Sequence, residues 1–212
     1  MTEDGPSEPT PAGGEPVLDG DIDAAAAAID RGDLVVYPTE TVYGLGADAT
    51  DPDAVAAVFD VKGRDRSKPI SLGVPDVEAA LAYTTPTVRE RRFMHEFLPG
   101  PVTVVVERKP IVPDVLTAGS DRVGIRIPDH ELALALLRAA DVPITATSAN
   151  VSGTGSVCEV ETLSESVHEA VAAVLDAGQT PGTESTVVDV DAGEIHRRGA
   201  MADAIEEWLD EH

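Results

Sequence analysis

The sequence is short of lysine, of cysteine and of long apolar runs, and each shortage excludes something. Its 212 residues contain 1 cysteine, Cys158, so no disulfide forms within the chain, and no CxxC or HExxH spacing marks a zinc site. No stretch approaches the roughly 18 consecutive apolar residues of a membrane span. The N-terminal stretch carries acids and prolines where a secretory signal needs a basic start and an apolar core. These absences lead to the expectation of a soluble, cytoplasmic protein. The GxxxxGK[ST] phosphate loop is also missing, and Ser185 in "GTESTVVD" lacks the flanking glycines of a hydrolase elbow, which sets both of those chemistries aside.

Positive charge is scarce and unevenly placed. Lys and Arg total 15 against 39 Asp and Glu, for a net charge of −24, and lysine occurs only at Lys62, Lys68 and Lys109. Such an acid excess fits a surface kept hydrated in concentrated salt, as in halophiles, which is an adaptation to solvent and not an activity. Against that background "KGRDRSKP", Lys62 to Pro69, holds Lys62, Arg64, Arg66 and Lys68, where uniform scattering would place roughly 0.6 cations. An ammonium acts as a mobile point charge and a guanidinium as a bidentate fork, so together they suit phosphate or carboxylate oxygens. The segment is expected to be an anion-binding loop at an element boundary.

Along the chain, residues 1–16, "MTEDGPSEPTPAGGEP", bury too little apolar surface to offset ordering and are expected to form a disordered acidic tail, with one domain over residues 17–212. From there helix and strand signals alternate. "DIDAAAAAIDRG" reads as a helix capped by Gly32, "DLVVYP" as a buried strand, and "DPDAVAAVFDVKG" as a helix with Asp51 as N-cap and Pro52 at its first position. "PISLGV", "PVTVVVER", "RVGIRIP", "PITAT", "AAVLDA", "STVVDVD" and "EIHRR" read as strands. "DVEAALAY", "TPTVRERRFMHEFL" with Thr85 as cap and Pro86 following, "DHELALALLRAA", "SESVHEAV" and "MADAIEEWLDE" read as helices. The pattern predicts an α/β domain, and the adjacent late strands argue for a mixed sheet.

Several segments could carry chemistry. "YPTETVYGLGADA" formally matches a dinucleotide fingerprint at Gly44, Gly46 and Ala49, but the glycines stand too far from both the preceding strand and the following helix. Its hydroxyl run, Thr39, Thr41 and Tyr43, lies at the C-terminal edge of a strand, where open α/β sheets bind ligands. In "GIRIP", alternation sets Arg126 on the face opposite Ile125 and Ile127, either a solvated sheet face or the wall of a cleft. "TSANVSG" after "PITA" is either a Ser/Asn-rich turn or a set of donors for anionic oxygens, and "HRRGA" forms a second basic island at Arg197 and Arg198.

Taken in order, "PTETVYGLGADA", "KGRDRSKP", "PGPVTVVV", "VGIRIPDH", "TSANVSG", "ESTVVD" and "RRGA" resemble the YrdC-like family of L-threonylcarbamoyl-AMP synthases, from about Asp21 to the C-terminus. The resemblance implies a three-layer α/β fold with a twisted mixed β-sheet flanked by helices and a large basic cavity, in a single-domain form. It implies condensation of L-threonine, bicarbonate and ATP, with Mg²⁺ riding on the triphosphate, to threonylcarbamoyl-AMP and pyrophosphate. The product would feed the threonylcarbamoyltransferase machinery that modifies tRNA beside the anticodon. Carried over residue by residue, Lys62 and Arg64 would be catalytic. Thr39, Arg126, Thr147 and Ser185 would hold threonine, while Lys62, Arg64, Lys68, Ser148, Asn150 and Arg197 would hold ATP. Two other readings stay open, an RNA-binding module of the same fold and a carbamoyl-transfer domain. A net charge of −24 with one dense basic island lacks the broad positive surface that stable tRNA binding needs.

Overall fold

The computed structural model describes residues 19–212, and the expected tail at residues 1–16 lies outside them. Among the described residues a single mixed sheet of 9 strands runs in the order β7-β1-β2-β6-β3-β5-β4-β8-β9. Its strands are β1 (Leu34–Tyr37), β2 (Gly44–Gly46), β3 (Ser71–Gly73), β4 (Val102–Glu107), β5 (Arg122–Arg126), β6 (Ile144–Ser148), β7 (Val171–Val174), β8 (Thr186–Asp189) and β9 (Glu194–Arg197). The helices are α1 (Asp19–Asp30), α2 (Pro52–Lys62), α3 (Val77–Ala80), α4 (Val88–Phe97), α5 (Asp114–Thr117), α6 (Glu131–Ala140), α7 (Glu165–Ala170) and α8 (Ala202–Glu211). The pairs β1/β7, β3/β5 and β4/β8 are parallel and the remaining neighbours antiparallel, so the sheet is mixed as expected.

The pleat assigns each strand residue to one of two different surfaces. Leu72, Val102, Val104, Val106, Val123, Ile125 and Val188 share one face and pack with Val55, Val58 and Phe59 of α2, Phe93 and Met94 of α4, and Ile205 and Trp208 of α8. Burying each such side chain contributes about 2 kcal/mol, so this layer carries much of the fold's stability. α8 is fixed there by its tryptophan, whose indole stands edge-on to Phe93 at 4.9 Å between centroids and donates Nε1–H to Glu96 Oε2 at 2.8 Å.

The opposite face is covered only in part. Val35, Tyr37 and Ile144 pack against Ala25, Ala28 and Ile29 of α1 and Ala133, Leu136 and Leu137 of α6, in each helix an i, i+3, i+4 stripe. β1 is therefore buried on both sides, which accounts for its unbroken apolar run "LVVY". Beyond the α1–α6 pair the same face carries Ser71, Thr103, Gly124, Arg126, Ala146, Ser148 and Val187, small or polar side chains that leave a hollow.

Local expectations differ from the structure at three places. The N-cap of α4 is Thr87, not Thr85, because Thr87 and Glu90 close a reciprocal capping box while Thr85 N–H is engaged by Glu107 O at 2.9 Å. "GLG" is a strand, β2, held between β1 and β6. Gly44 is required there, since a Cβ would meet the Tyr37 ring at 2.6 Å. Finally, Lys62 closes helix α2 with Gly63 as its left-handed cap (φ 55°), so "KGRDRSKP" is a helix end plus a loop and not one loop.

Candidate active site

The hollow on the partly covered sheet face is a cavity of about 420 Å³. Its floor comes from β3, β4, β5 and β6, and its rim from the turn after β1, the loop after α2, and the β8–β9 segment. The floor is tightly built: a Cβ on Gly124 would stand 2.5 Å from Ser71 Oγ and 2.8 Å from Thr103 Cγ2. Thr39, Arg64, Arg126, Thr147, Ser148, Ser185 and Arg197, all singled out in the sequence, line this one space.

The turn after β1 is organised by its own hydroxyls. Thr39 Oγ1 donates to Val42 O at 2.6 Å, lies 2.8 Å from Thr41 Oγ1, and accepts from the backbone N–H groups of Thr41 and Val42 at 3.2 Å. This pins Glu40, whose Oε1 accepts from Arg126 Nη2 at 2.6 Å. Arg126 is only 7% exposed, and alternation on β5 does turn it away from Ile125, into the cleft and not toward bulk water. Tyr37 stands beside the pair; burial pushes its phenol well above the usual range, and of the two charges Arg126 lowers it while Glu40 raises it.

At the other side the loop after α2 is held by Arg64, which donates Nε–H to Lys68 O and Nη2–H to Pro69 O, both at 3.0 Å. Burial first, then the like charge of Arg197, weaken the charged form of Arg64. Arg197 in turn grips Ser185, with Nε to its carbonyl at 3.0 Å and Nη2 to Oγ at 2.8 Å; Glu184 approaches Arg197 at 3.9 Å on the exposed edge. Ser185 Oγ also lies 3.4 Å from Thr103 Oγ1. Arg64 and Arg197 thus converge on the cavity with mostly neutral partners.

Lys62 is placed differently from the expected anion ligand. It is 1% exposed, and its Nζ is used by the carbonyl of Ser148, by Asn150 O at 2.6 Å and by Asn150 Oδ1 at 3.5 Å. Lys62 O accepts from Ser152 N–H at 2.8 Å, so the lysine underpins the whole "SANVS" turn from behind. Burial, and secondarily the charge of Arg64, push its ammonium down to about 8. Asn150 is likewise turned inward: it accepts from Ser148 Oγ and donates Nδ2 to Val151 O at 3.0 Å and Thr154 O at 2.8 Å. Lys68 is exposed on the loop, outside the cavity lining. The long-range folding that brings α2 under β6 explains why position in the motif did not reveal these roles.

Other participants escaped the sequence reading. Glu40, Tyr37, Ser71, Thr103 and Arg122 were not singled out, and only Glu40 left a trace, as the one acid inside a hydroxyl-rich turn. Arg122, on the same face of β5, is tied to Glu90 at 2.8 Å and Asp189 at 2.9 Å, which balances its charge. Tyr43 fastens the far loop, accepting from Ala177 N–H at 3.0 Å with its hydroxyl 2.7 Å from Gly178 O; burial pushes it up to about 12, so it stays a phenol. Chemically, the cavity offers fixed cations, hydroxyls and backbone groups around a space suited to small anions, and among the described residues the Ser185 hydroxyl is engaged by Arg197 and Thr103 and not by a base.

Comparison with known proteins finds relatives over most of the chain. The Sua5/YciO/YrdC family model, described as telomere recombination, matches residues 27–199. The threonylcarbamoyl-AMP synthase of Pyrococcus abyssi is 41% identical over 172 residues, covering 80% of this chain and 50% of that protein. The Bacillus subtilis threonylcarbamoyl-AMP synthase is 40% identical over 174 residues, again covering 80% and 50%. The chain thus spans about half the length of these curated relatives. The crystal structure of P. abyssi Sua5 complexed with L-threonine superposes with a TM-score of 0.85 at 36% identity, covering 91% of this chain and 58% of that one.

Proposed function

Because this chain belongs to the Sua5/YciO/YrdC family, we propose that it is an L-threonylcarbamoyl-AMP synthase, a nucleotidyltransferase acting on L-threonine, bicarbonate and ATP. The observation that carries this reading is the convergence of Arg126, Arg64 and Arg197 on a single cavity with Thr39, Ser148 and Ser185 between them. Every reactant is anionic or becomes so, and such a cavity offsets their mutual repulsion. In the first step the threonine amine forms an N–C bond to the bicarbonate carbon with loss of water, giving a carbamate. A carbamate oxygen then attacks the α-phosphorus, the bond to the bridging oxygen breaks, and pyrophosphate leaves.

In this reading Arg126 holds the threonine carboxylate and Thr39, Thr147 and Ser185 shape the amino-acid pocket. Arg64 and Arg197 face the phosphates, and Ser148 lies at the junction of the two. Lys62 and Asn150 act from behind by fixing the turn that carries Ser148. Magnesium arrives as part of the substrate, MgATP, with triphosphate oxygens as its ligands. One preorganised donor aimed at developing charge typically removes ~3 kcal/mol from the barrier, and alignment of the reactants supplies much of the rest. We place the reaction in the cytoplasm, where the adenylate passes to the tRNA threonylcarbamoyltransferase machinery. Among the described residues no helix is long and apolar enough to cross a membrane.

The test is pyrophosphate release by the purified chain in high salt, omitting one substrate at a time. Release that requires threonine and bicarbonate together is expected. ATP cleavage indifferent to both would overturn the assignment.

A further inference from the structure

Glu40 Oε2 and His130 Nδ1 are both buried and lack a hydrogen-bond partner among the described residues. They belong to one neighbourhood. Glu40 gives its other oxygen to Arg126 at 2.6 Å, and His130 lies close enough to feel the Glu40 charge, the largest of those acting on it ahead of Glu131 and Asp129. His130 is also placed by Arg126's own strand, since it follows β5 across Ile127, Pro128 and Asp129 and serves as N-cap residue of α6 without a side-chain capping bond. Its imidazole is therefore free of the usual capping duty. A carboxylate oxygen and a ring nitrogen are costly to bury unpaired, and since neither bonds the other directly, one water between them removes both penalties.

We infer that His130 and Glu40 form a positioning relay behind Arg126: a buried water accepts from His130 Nδ1–H and donates to Glu40 Oε2, and Glu40 Oε1 holds the guanidinium that receives the substrate carboxylate. Neither residue lines the cavity. The relay rests on the proposed role of Arg126 and adds the reason that arginine stays aimed. Glu40 is pinned by the Thr39 turn at one end and by His130 at the other, so the guanidinium has one orientation. Burial holds His130 below its ordinary value, against the pull of Glu40, Glu131 and Asp129, so it serves as a neutral donor near neutral pH.

The relay predicts a split in kinetic constants. With ATP and bicarbonate saturating, Glu40→Ala should raise the threonine KM about tenfold, the scale of a lost charge-assisted hydrogen bond, with kcat and the ATP KM within about twofold. Glu40→Gln keeps an acceptor for Arg126 and should recover most of the loss. His130→Ala should raise the threonine KM a few-fold, and His130→Asn, which restores an N–H near Nδ1, should reverse that. An unchanged threonine KM in both alanine variants, or an ATP KM rising in step, overturns the relay. Should the wild-type chain release no pyrophosphate with threonine, the synthase reading falls while the relay stays measurable. The His130 imidazole, titrated by NMR, should lose affinity for its proton in Glu40→Gln, because the carboxylate that favours the imidazolium is gone. An identical titration in both proteins overturns the relay whatever the activity.

Discussion

Arg126 and Arg64 open onto the same cavity, yet their surroundings balance charge in opposite ways. Arg126 is buried against a carboxylate, Glu40, at 2.6 Å. Arg64 is held by two carbonyls, with Arg197 and Lys62 close enough for like charges to act on one another. An anion arriving at Arg126 meets a charge already shared, so binding there depends on geometry and suits a small carboxylate of fixed shape. An anion arriving at Arg64 relieves repulsion that is built into the fold, which suits polyphosphate. On the proposed function, uneven charge balance, and not the number of cations, divides the cavity into two subsites.

The contrast can be broken most severely at Lys62. Lys62→Ala leaves the buried carbonyls of Ser148 and Asn150 without their donor, which should cost about 3 kcal/mol of stability and at least a hundredfold in turnover. Denaturant unfolding and pyrophosphate release would read the two losses, and near-normal values for both would refute the underpinning role. Filling the shared floor should act on both subsites together. Gly124→Ala drives a methyl against Ser71 and Thr103 and should lower stability by about 1–3 kcal/mol, seen as a reduced melting temperature, while weakening both substrates.

Protonation sharpens the contrast further. The Lys62 ammonium is held at about 8, below its ordinary 10.5, so charging it disfavours the folded state. The sign follows: its penalty is present below about 8 and fades as pH rises toward 10.5, so this group makes no contribution to alkaline loss of stability. Over the same rise the Arg64 side of the cavity, the proposed phosphate subsite, loses a positive charge. ATP affinity measured by calorimetry should therefore fall between about pH 7 and about pH 9, in a step centred near the Lys62 value. The smallest effect belongs to Ser185, whose hydroxyl accepts from the half-exposed Arg197 at 2.8 Å; Ser185→Ala should change either KM by only about two- to fivefold.

Much of the scaffold was legible because it rests on local signals. "PVTVVVER" and "RVGIRIP" match β4 and β5, alternation in the second set Arg126 on the face opposite Ile125, and Asp51-Pro52 marked the start of α2. β2 was not legible, since three residues with two glycines carry no periodicity and acquire strand geometry only from β1 and β6. The site divides along the same line. Thr39, Arg64 and Ser148 stood out through unusual local composition, whereas Ser185 entered only through the family resemblance. The partners that define Lys62 and Glu40 lie 86 residues away in each case, Ser148 and Arg126, and only the assembled sheet brings them together. Read as neighbours in a basic octapeptide, Lys62 and Lys68 looked alike, whereas folding buries one and leaves the other in solvent.

The division of the cavity is tested most directly by measuring both Michaelis constants for Arg64→Ala and Arg126→Ala in the same pyrophosphate assay. The account predicts a crossed pattern: Arg64→Ala raises the ATP constant and spares threonine, and Arg126→Ala raises the threonine constant and spares ATP. Equal effects on both substrates in both variants would contradict it.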